Sequence, residues 1–222
     1  MAFYQSLSPD THNKNYAFDI SVFKCGENET KRSGTLRMAG GDLRFKNNNI
    51  TNNICKEVSS IFIEIGDYSS NCSFSTFREN NQTKTNSLYF YYNPISHSTT
   101  QEFSYCNVIE NKCGTDNEQV LFNCNSKTNV DHCIFLNNTA KYMFKQSSKS
   151  ILTISDSYAE PNSKTGSGTV TFKNIKGNYD FNTFTHLFNK TCPNNPKNDS
   201  LKLPYLPKFA KTAIIGLFPS KK

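Results

Sequence analysis

Tryptophan is absent from this chain, and alanine, leucine and glutamate are scarce. With few strong helix formers, few helices are expected. No apolar stretch approaches the ~20 residues needed to span a bilayer; the C-terminal run from Ala213 to Phe218 is far shorter. Met1 to Asp10 has neither the basic start nor the continuous apolar segment of an export signal. Taken literally, this is a soluble protein with no export signal and no transmembrane segment; the alternative is an excerpt of a longer chain. No Cys-x-x-Cys pair occurs, so nothing is spaced like a zinc site. No Gly-rich phosphate loop and no Gly-x-Ser-x-Gly elbow is present.

What is present is aromatic and polar. Eighteen Phe and eleven Tyr bring aromatics to 13%, which is not a disordered composition. Asn, Ser and Thr are over-used, and that bias favours short strands separated by tight turns. The net charge of +7 is unevenly placed. From Phe188 onward there are seven Lys against one acid, Asp199, or +6, so the rest of the chain is close to neutral. A nucleic-acid binder is expected to carry its basic face on the folded part; no nucleic-acid partner is expected here.

A phrase of one apolar residue, two others and Asn recurs as Ile50 to Asn53, Phe77 to Asn80, Val108 to Asn111 and Phe135 to Asn138. The leading residues are 27, 31 and 27 positions apart, with weaker echoes at Tyr158 and Phe184. A second series, Phe62, Phe90, Phe122, Phe144 and Phe172, advances by 28, 32, 22 and 28. Two series moving together are what a repeating structural unit produces when insertions fall in its turns. One such unit cannot bury its own apolar face, whereas stacked units pair their backbones and build a continuous interior. The reading is an all-β, right-handed, single-stranded parallel β-helix of about five to six coils. A β-sandwich, whose strands need no fixed repeat, ranks second.

The coils are placed at residues 40–187. An N-terminal cap or irregular first coil occupies 1–39, and a Pro/Lys-rich tail or stalk occupies 188–222. Asn suits the corners because it tolerates left-handed backbone, and Asn53, Asn80, Asn111 and Asn138 are matched candidates for an amide ladder. Two positions before each leading residue lie Asn48, Ser75, Cys106, Cys133, Asp156 and Asn182. Cys106 and Cys133 then become neighbours in adjacent coils, either as a disulfide or as stacked thiols.

The phrases at Phe77 to Asn80 and Phe135 to Asn138 resemble the polymorphic membrane protein repeats of chlamydial surface proteins. Ile50 to Asn53 and Val108 to Asn111 are substituted forms, and Phe45 to Asn48 and Phe122 to Asn125 also fit. Gly40-Gly41-Asp42-Leu43 is a loose relative of that family's Gly-Gly-Ala-Ile phrase. The Asn-rich, Cys-containing style also resembles β-helix surface proteins of trichomonads. The resemblance covers roughly residues 40 to 175, and it implies surface display and adhesion, hence an extracellular or cell-surface location. Seven Asn-x-Ser/Thr sequons, at Asn28, Asn49, Asn71, Asn81, Asn137, Asn189 and Asn198, permit that location.

Polysaccharide cleavage on a β-helix needs clustered carboxylates, for acid–base work or for calcium. The acids here are scattered, with no Asp-Asp and no His-Gly pair. His12, His97, His132 and His186 do not recur at one coil position. Asp131-His132 is the only acid–His neighbour pair, and adjacent strand residues point to opposite faces. The expectation is a non-catalytic binding module for an unidentified protein or glycan, with a carbohydrate-active enzyme as the alternative. No catalytic, cofactor-binding or metal residue is assigned, and no cofactor is expected. Candidate contact surfaces are the long turns at Glu79 to Ser87, Pro94 to Gln101 and Lys112 to Glu118, with Tyr89, Tyr91 and Tyr92 nearby.

Overall fold

The computed structural model describes residues 3–6, 13–25, 35–55, 61–64, 70–82, 87–92, 100–113, 120–146, 151–160 and 167–180, with backbone alone for 3–6, 61–64 and 87–92. The chain divides into two units, Met1–Phe188 and Asn189–Lys222, and the second lies wholly outside the described residues.

All regular structure in the described residues is β. The first turn of chain gives β1 (Phe3–Ser6), β2 (Lys14–Phe18) and β3 (Ser21–Phe23). The second gives β4 (Leu36–Ala39), β5 (Asp42–Lys46), β6 (Asn49–Thr51) and β7 (Ile54–Cys55). The third gives β8 (Ile61–Glu64), β9 (Ser70–Ser73), β10 (Thr76–Arg78) and β11 (Asn81–Gln82), and the fourth β12 (Ser87–Tyr92), β13 (Gln101–Ser104), β14 (Asn107–Ile109) and β15 (Lys112–Cys113). Then come β16 (Val120–Cys124), β17 (Thr128–Asp131) and β18 (Ile134–Leu136), followed by β19 (Tyr142–Gln146), β20 (Ile151–Ser155) and β21 (Tyr158–Ala159), and last β22 (Thr169–Lys173).

Strands one turn apart pair in parallel. They form a first sheet β1-β4-β8-β12-β16-β19, a second β2-β5-β9-β13-β17-β20-β22, a third β3-β6-β10-β14-β18-β21 and a short fourth β7-β11-β15. This is a parallel β-solenoid. Three turns place a strand in all four sheets, and a bridge from Lys112 to Thr139 carries the fourth side one turn further. About four turns are therefore closed on every side, somewhat fewer than the five to six coils expected. Three-sided turns flank them.

The leading residues of the first series share one column: Ile50 pairs with Phe77, Phe77 with Val108, and Val108 with Phe135. The echo at Tyr158 is displaced by one, because Phe135 pairs with Ala159 and Tyr158 with Ile134. The smaller residue takes the interior position, while the larger ring packs on Tyr179, with centroids 4.8 Å apart. The matched small residue is therefore Ser157 and not Asp156. Phe184 and Asn182 lie outside the described residues.

The second series mixes registers. Phe62 pairs with Phe90, and Phe122 pairs with Phe144, but Phe122 pairs with Tyr89. Phe172 belongs to the second sheet, opposite Ile154. A run with aromatics at consecutive positions does not announce which face is inward, and a slip of one exchanges the faces.

The interior is an aromatic spine. Phe45, Phe77, Phe103, Phe122, Phe135 and Phe144 are fully buried. Successive ring centroids lie 6.2, 5.9, 5.0, 6.1 and 4.8 Å apart, and Phe172 follows Phe144 at 5.9 Å. Such pairs contribute ~0.5–1.5 kcal/mol each beyond burial.

Two polar ladders line the interior. Asn53, Asn80, Asn111 and Asn138 form the expected amide ladder. The side chain of Asn80 donates to Ile50 O at 2.8 Å and to Asn111 Oδ1 at 3.0 Å, and its Oδ1 accepts from the backbone and side chain of Asn53 at 3.1 and 3.0 Å. Asn111 repeats this with Phe77 O and Asn138. Asn80 and Asn111 thereby fill both donor and both acceptor positions. The left-handed residues are not these Asn but those just before them: Asn52, Glu79, Glu110 and Asn137. The left-handed residue turns the chain so that the next side chain points inward.

The second ladder is Asn48, Ser75, Cys106, Cys133 and Ser157. The Ser75 and Ser157 hydroxyls donate to the carbonyls two residues back, at 2.9 and 2.7 Å, and the Cys106 and Cys133 thiols do the same at 3.3 and 3.2 Å. Across turns, the backbone N–H of Asn48 donates to Ser75 Oγ, Cys106 to Cys133 Sγ, and Cys133 to Ser157 Oγ. The thiols thus stand in for hydroxyls. Of the two arrangements left open by the sequence, the structure holds stacked thiols: Cys106 and Cys133 form no disulfide. Burial pushes the Cys106 and Cys133 thiols well above the usual range, and Cys124 up to about 12. Such thiols are poor nucleophiles.

Candidate ligand-binding corner

The corner between the second and third sheets turns on one left-handed residue per turn: Asp19, Asn47, Phe74, Tyr105, His132, Asp156 and Asn174, with φ between 46° and 63°. Asn and Asp occupy this conformation readily, whereas a bulky side chain there is strained. The first two and last two turns use Asp or Asn. The three between them use Phe, Tyr and His.

Those three side chains stack outside the barrel. The Phe74 and Tyr105 rings are 5.1 Å apart and parallel to within 4°, and Tyr105 and His132 are 4.9 Å apart at 22°. Parallel rings at that separation are offset. Tyr105 is 37% exposed. Lys46 Nζ lies 5.3 Å from the centre of the Phe74 ring. One turn earlier, Asn47 Nδ2 donates to Asp19 Oδ1.

Polar groups border the stack on the outer face of the second sheet. His132 Nδ1 is 2.7 Å from Asp131 Oδ2, and Ser155 Oγ donates to Asp131 Oδ1 at 2.9 Å. Against a carboxylate, Nδ1 is the nitrogen that carries hydrogen. Asn129 Nδ2 donates to Glu102 Oε1 at 3.0 Å. Burial raises the Glu102 carboxyl above the usual range; the Asn129 hydrogen bond opposes this and the Asp131 charge adds to it.

The contact between Asp131 and His132 corrects the expectation that they point apart. Alternation holds within a strand, but His132 is the left-handed corner residue after β17, so both side chains face outward. Sequence reasoning missed the aromatic corner as well. The available signal was position: Phe74, Tyr105 and His132 each directly precede a member of the Ser/Cys ladder. His12, His97 and His186 lie outside the described residues. So do most of the long turns proposed as contact surfaces and the side chains of Tyr89, Tyr91 and Tyr92.

Among the described residues no group of three His, Cys, Asp or Glu is arranged to hold a metal ion, and no helix is long and apolar enough to cross a membrane. No family model, curated protein or solved structure matches this chain.

Proposed function

We propose that this β-solenoid is a non-catalytic binding module that engages a protein or glycan at the Phe74–Tyr105–His132 corner. The observation that carries the reading is the departure from Asn and Asp in three consecutive turns. The backbone is satisfied by Asp19, Asn47, Asp156 and Asn174 at the equivalent positions, so the fold does not require aromatics there. A strained left-handed bulky residue costs ~1–3 kcal/mol, only partly offset by stacking. Strain kept on an exposed surface is accounted for by a contact made outside the molecule.

The test replaces Phe74, Tyr105 and His132 together by Asn, the residue the fold itself uses. Wild type and variant are compared on an array of glycans and extracellular matrix proteins. A wild-type signal at least tenfold above the variant, with a variant melting midpoint no lower than that of wild type, is expected. Equal signals would remove the corner from the reading.

Surface display or secretion belongs to the same proposal and draws on the resemblance to polymorphic membrane protein repeats. Mass spectrometry of the natural protein tests it. Glycan is expected on the exposed Asn137, and bare sequons throughout would set secretion aside.

The Asp131–His132 contact favours a second reading, a carbohydrate-active enzyme. An imidazole oriented by a carboxylate, beside a carboxyl that resists ionisation, is a minimal base and acid. Product release from pectin, alginate or chondroitin above a heat-treated control, abolished by His132→Asn, would replace the binding reading.

A further inference from the structure

A second surface lies on the outer face of the second sheet where that sheet begins. In β2, Asn15 and Ala17 are buried, and Lys14, Tyr16 and Phe18 are exposed. In the next strand, β5, Leu43 and Phe45 are buried and Asp42, Arg44 and Lys46 turn outward. The register sets Tyr16 beside Arg44 and Phe18 beside Lys46. Paired strands lie ~4.8 Å apart, so each ring has a cation as its neighbour. The two rings stack at 5.3 Å and 27°, yet they remain 38% and 46% exposed. Among the described residues no other strand of the second sheet turns a ring outward. Asp42 orders the patch. Its Oδ1 accepts from Arg44 Nε and its Oδ2 from the Tyr16 hydroxyl, each at 2.8 Å. Both carboxylate oxygens are thereby engaged. The terminal nitrogens of Arg44, and the ammonium groups of Lys14 and Lys46, pair with no carboxylate among the described residues. Three cations against one acid leave +2 here, whereas β13 and β17 further along turn out Glu102 and Asp131 and carry −2.

We infer that this patch binds an acidic glycan, a chain whose sugar rings carry carboxylate or sulfate groups. The chemistry matches on both counts. Tyr16 and Phe18 give apolar contact to the C–H groups of a sugar, and the rings cost little conformational entropy to hold. Arg44 is already fixed through Nε, and its two terminal nitrogens form a fork that meets a carboxylate or sulfate with parallel N–H groups. Lys14 and Lys46 add point charges on either side. Charge density separates this ligand from a nucleic acid. Duplex DNA carries one charge per ~1.7 Å, and its binders make ~6–10 phosphate contacts. Three cations on a flat strand pair suit a sparser polymer. The site is separate from the Phe74–Tyr105–His132 contact and adds a charged ligand class to it.

Binding of the full chain to polygalacturonate and to heparin at low salt tests this, with dextran, polyglutamate and single-stranded DNA as comparisons. Retention on at least one of the two acidic glycans is expected, with none on dextran; which one binds separates carboxylate from sulfate. Arg44→Gln combined with Lys46→Gln should weaken binding at least tenfold, and Tyr16→Thr combined with Phe18→Thr should do the same. All four side chains are exposed, and a melting midpoint within a few degrees of wild type separates lost binding from lost fold. If a double variant melts early, Lys46→Gln alone, which removes no hydrogen bond, should still weaken binding severalfold. Replacing Lys202, Lys208 and Lys211 by Gln should leave binding intact. Loss with that variant but not with the Arg44 and Lys46 pair would overturn the assignment and give the charge to the C-terminal lysines. Equal or tighter binding of polyglutamate or DNA would overturn it too, because charge alone would then select the ligand. So would a wild-type chain that holds neither acidic glycan.

Discussion

The corner that carries Asn53, Asn80, Asn111 and Asn138 and the corner that carries Phe74, Tyr105 and His132 use one backbone device, a left-handed residue in each turn. They differ in where the repeating side chain points. The amide ladder faces the interior, and its inner members Asn80 and Asn111 each donate to the next Asn and accept from the one before. Only another Asn supplies both halves of that exchange, so the residue type is locked. The aromatic ladder faces water, which satisfies polar groups without help. Its members change from Asp and Asn to Phe, Tyr and His without breaking the solenoid. A ladder that must hydrogen-bond to itself is conservative by chemistry; a ladder that need not is available for recognition.

The sharpest way to break this comparison is to put a charge into the inner ladder. Asn111→Asp removes the donors to Phe77 O and Asn138 Oδ1 and sets an uncompensated carboxylate against those oxygens. The expected loss is ~3–5 kcal/mol, the range for an unpaired buried charge, read as a lowered urea midpoint. The loss should shrink as pH falls and the carboxyl is protonated. A loss under ~1 kcal/mol would show that the amide exchange contributes little.

The same contrast explains what was legible in the sequence. The phrase ending in Asn gave the third sheet its register, because Asn53, Asn80, Asn111 and Asn138 have to match in kind. The second sheet was not read as a series of its own. Its inward column is Ala17, Phe45, Cys72, Phe103, Val130, Ile154 and Phe172, which share only an apolar character. The candidate corner was missed for a related reason: an outward position that changes from Asp and Asn to Phe, Tyr and His repeats no residue type, so only its place before the Ser/Cys ladder marks it. His132 was also misjudged, because strand alternation was applied to a residue outside a strand.

An intermediate effect separates hydrogen bonding from packing in the Ser/Cys ladder. Cys133→Ser keeps the donation to Asp131 O and the acceptor for the Cys106 N–H, as Ser75 and Ser157 show in neighbouring turns. Cys133→Ala loses both. The alanine variant is expected to lose ~1–3 kcal/mol for the unsatisfied buried amide, and the serine variant less. The reverse order would make Cys133 an apolar packing residue whose hydrogen bonds are incidental. On the outer ladder, Tyr105→Asn is expected to leave stability unchanged or raise it by under ~1 kcal/mol, as relief of left-handed strain outweighs lost stacking. A loss of several kcal/mol would make the aromatic corner structural and weaken the binding proposal.

The smallest effect concerns Glu102, on the outer face of the second sheet, three residues before Tyr105. Its carboxyl is raised in the folded state, chiefly by burial. The folded protein therefore holds this proton more tightly than the unfolded chain does. The contribution is fully present below the unfolded carboxyl pKa and is lost as pH rises through the folded one. Glu102→Gln removes that dependence and keeps an acceptor for Asn129. The variant should be slightly more stable than wild type at neutral pH, and the gap should close as the medium is acidified past the usual carboxylate range. Melting midpoints of the two proteins across that range decide it. A gap that widens on acidification would mean that the folded state prefers the ionised carboxylate, and Glu102 would then be unsuited to act as the acid in the enzymatic reading.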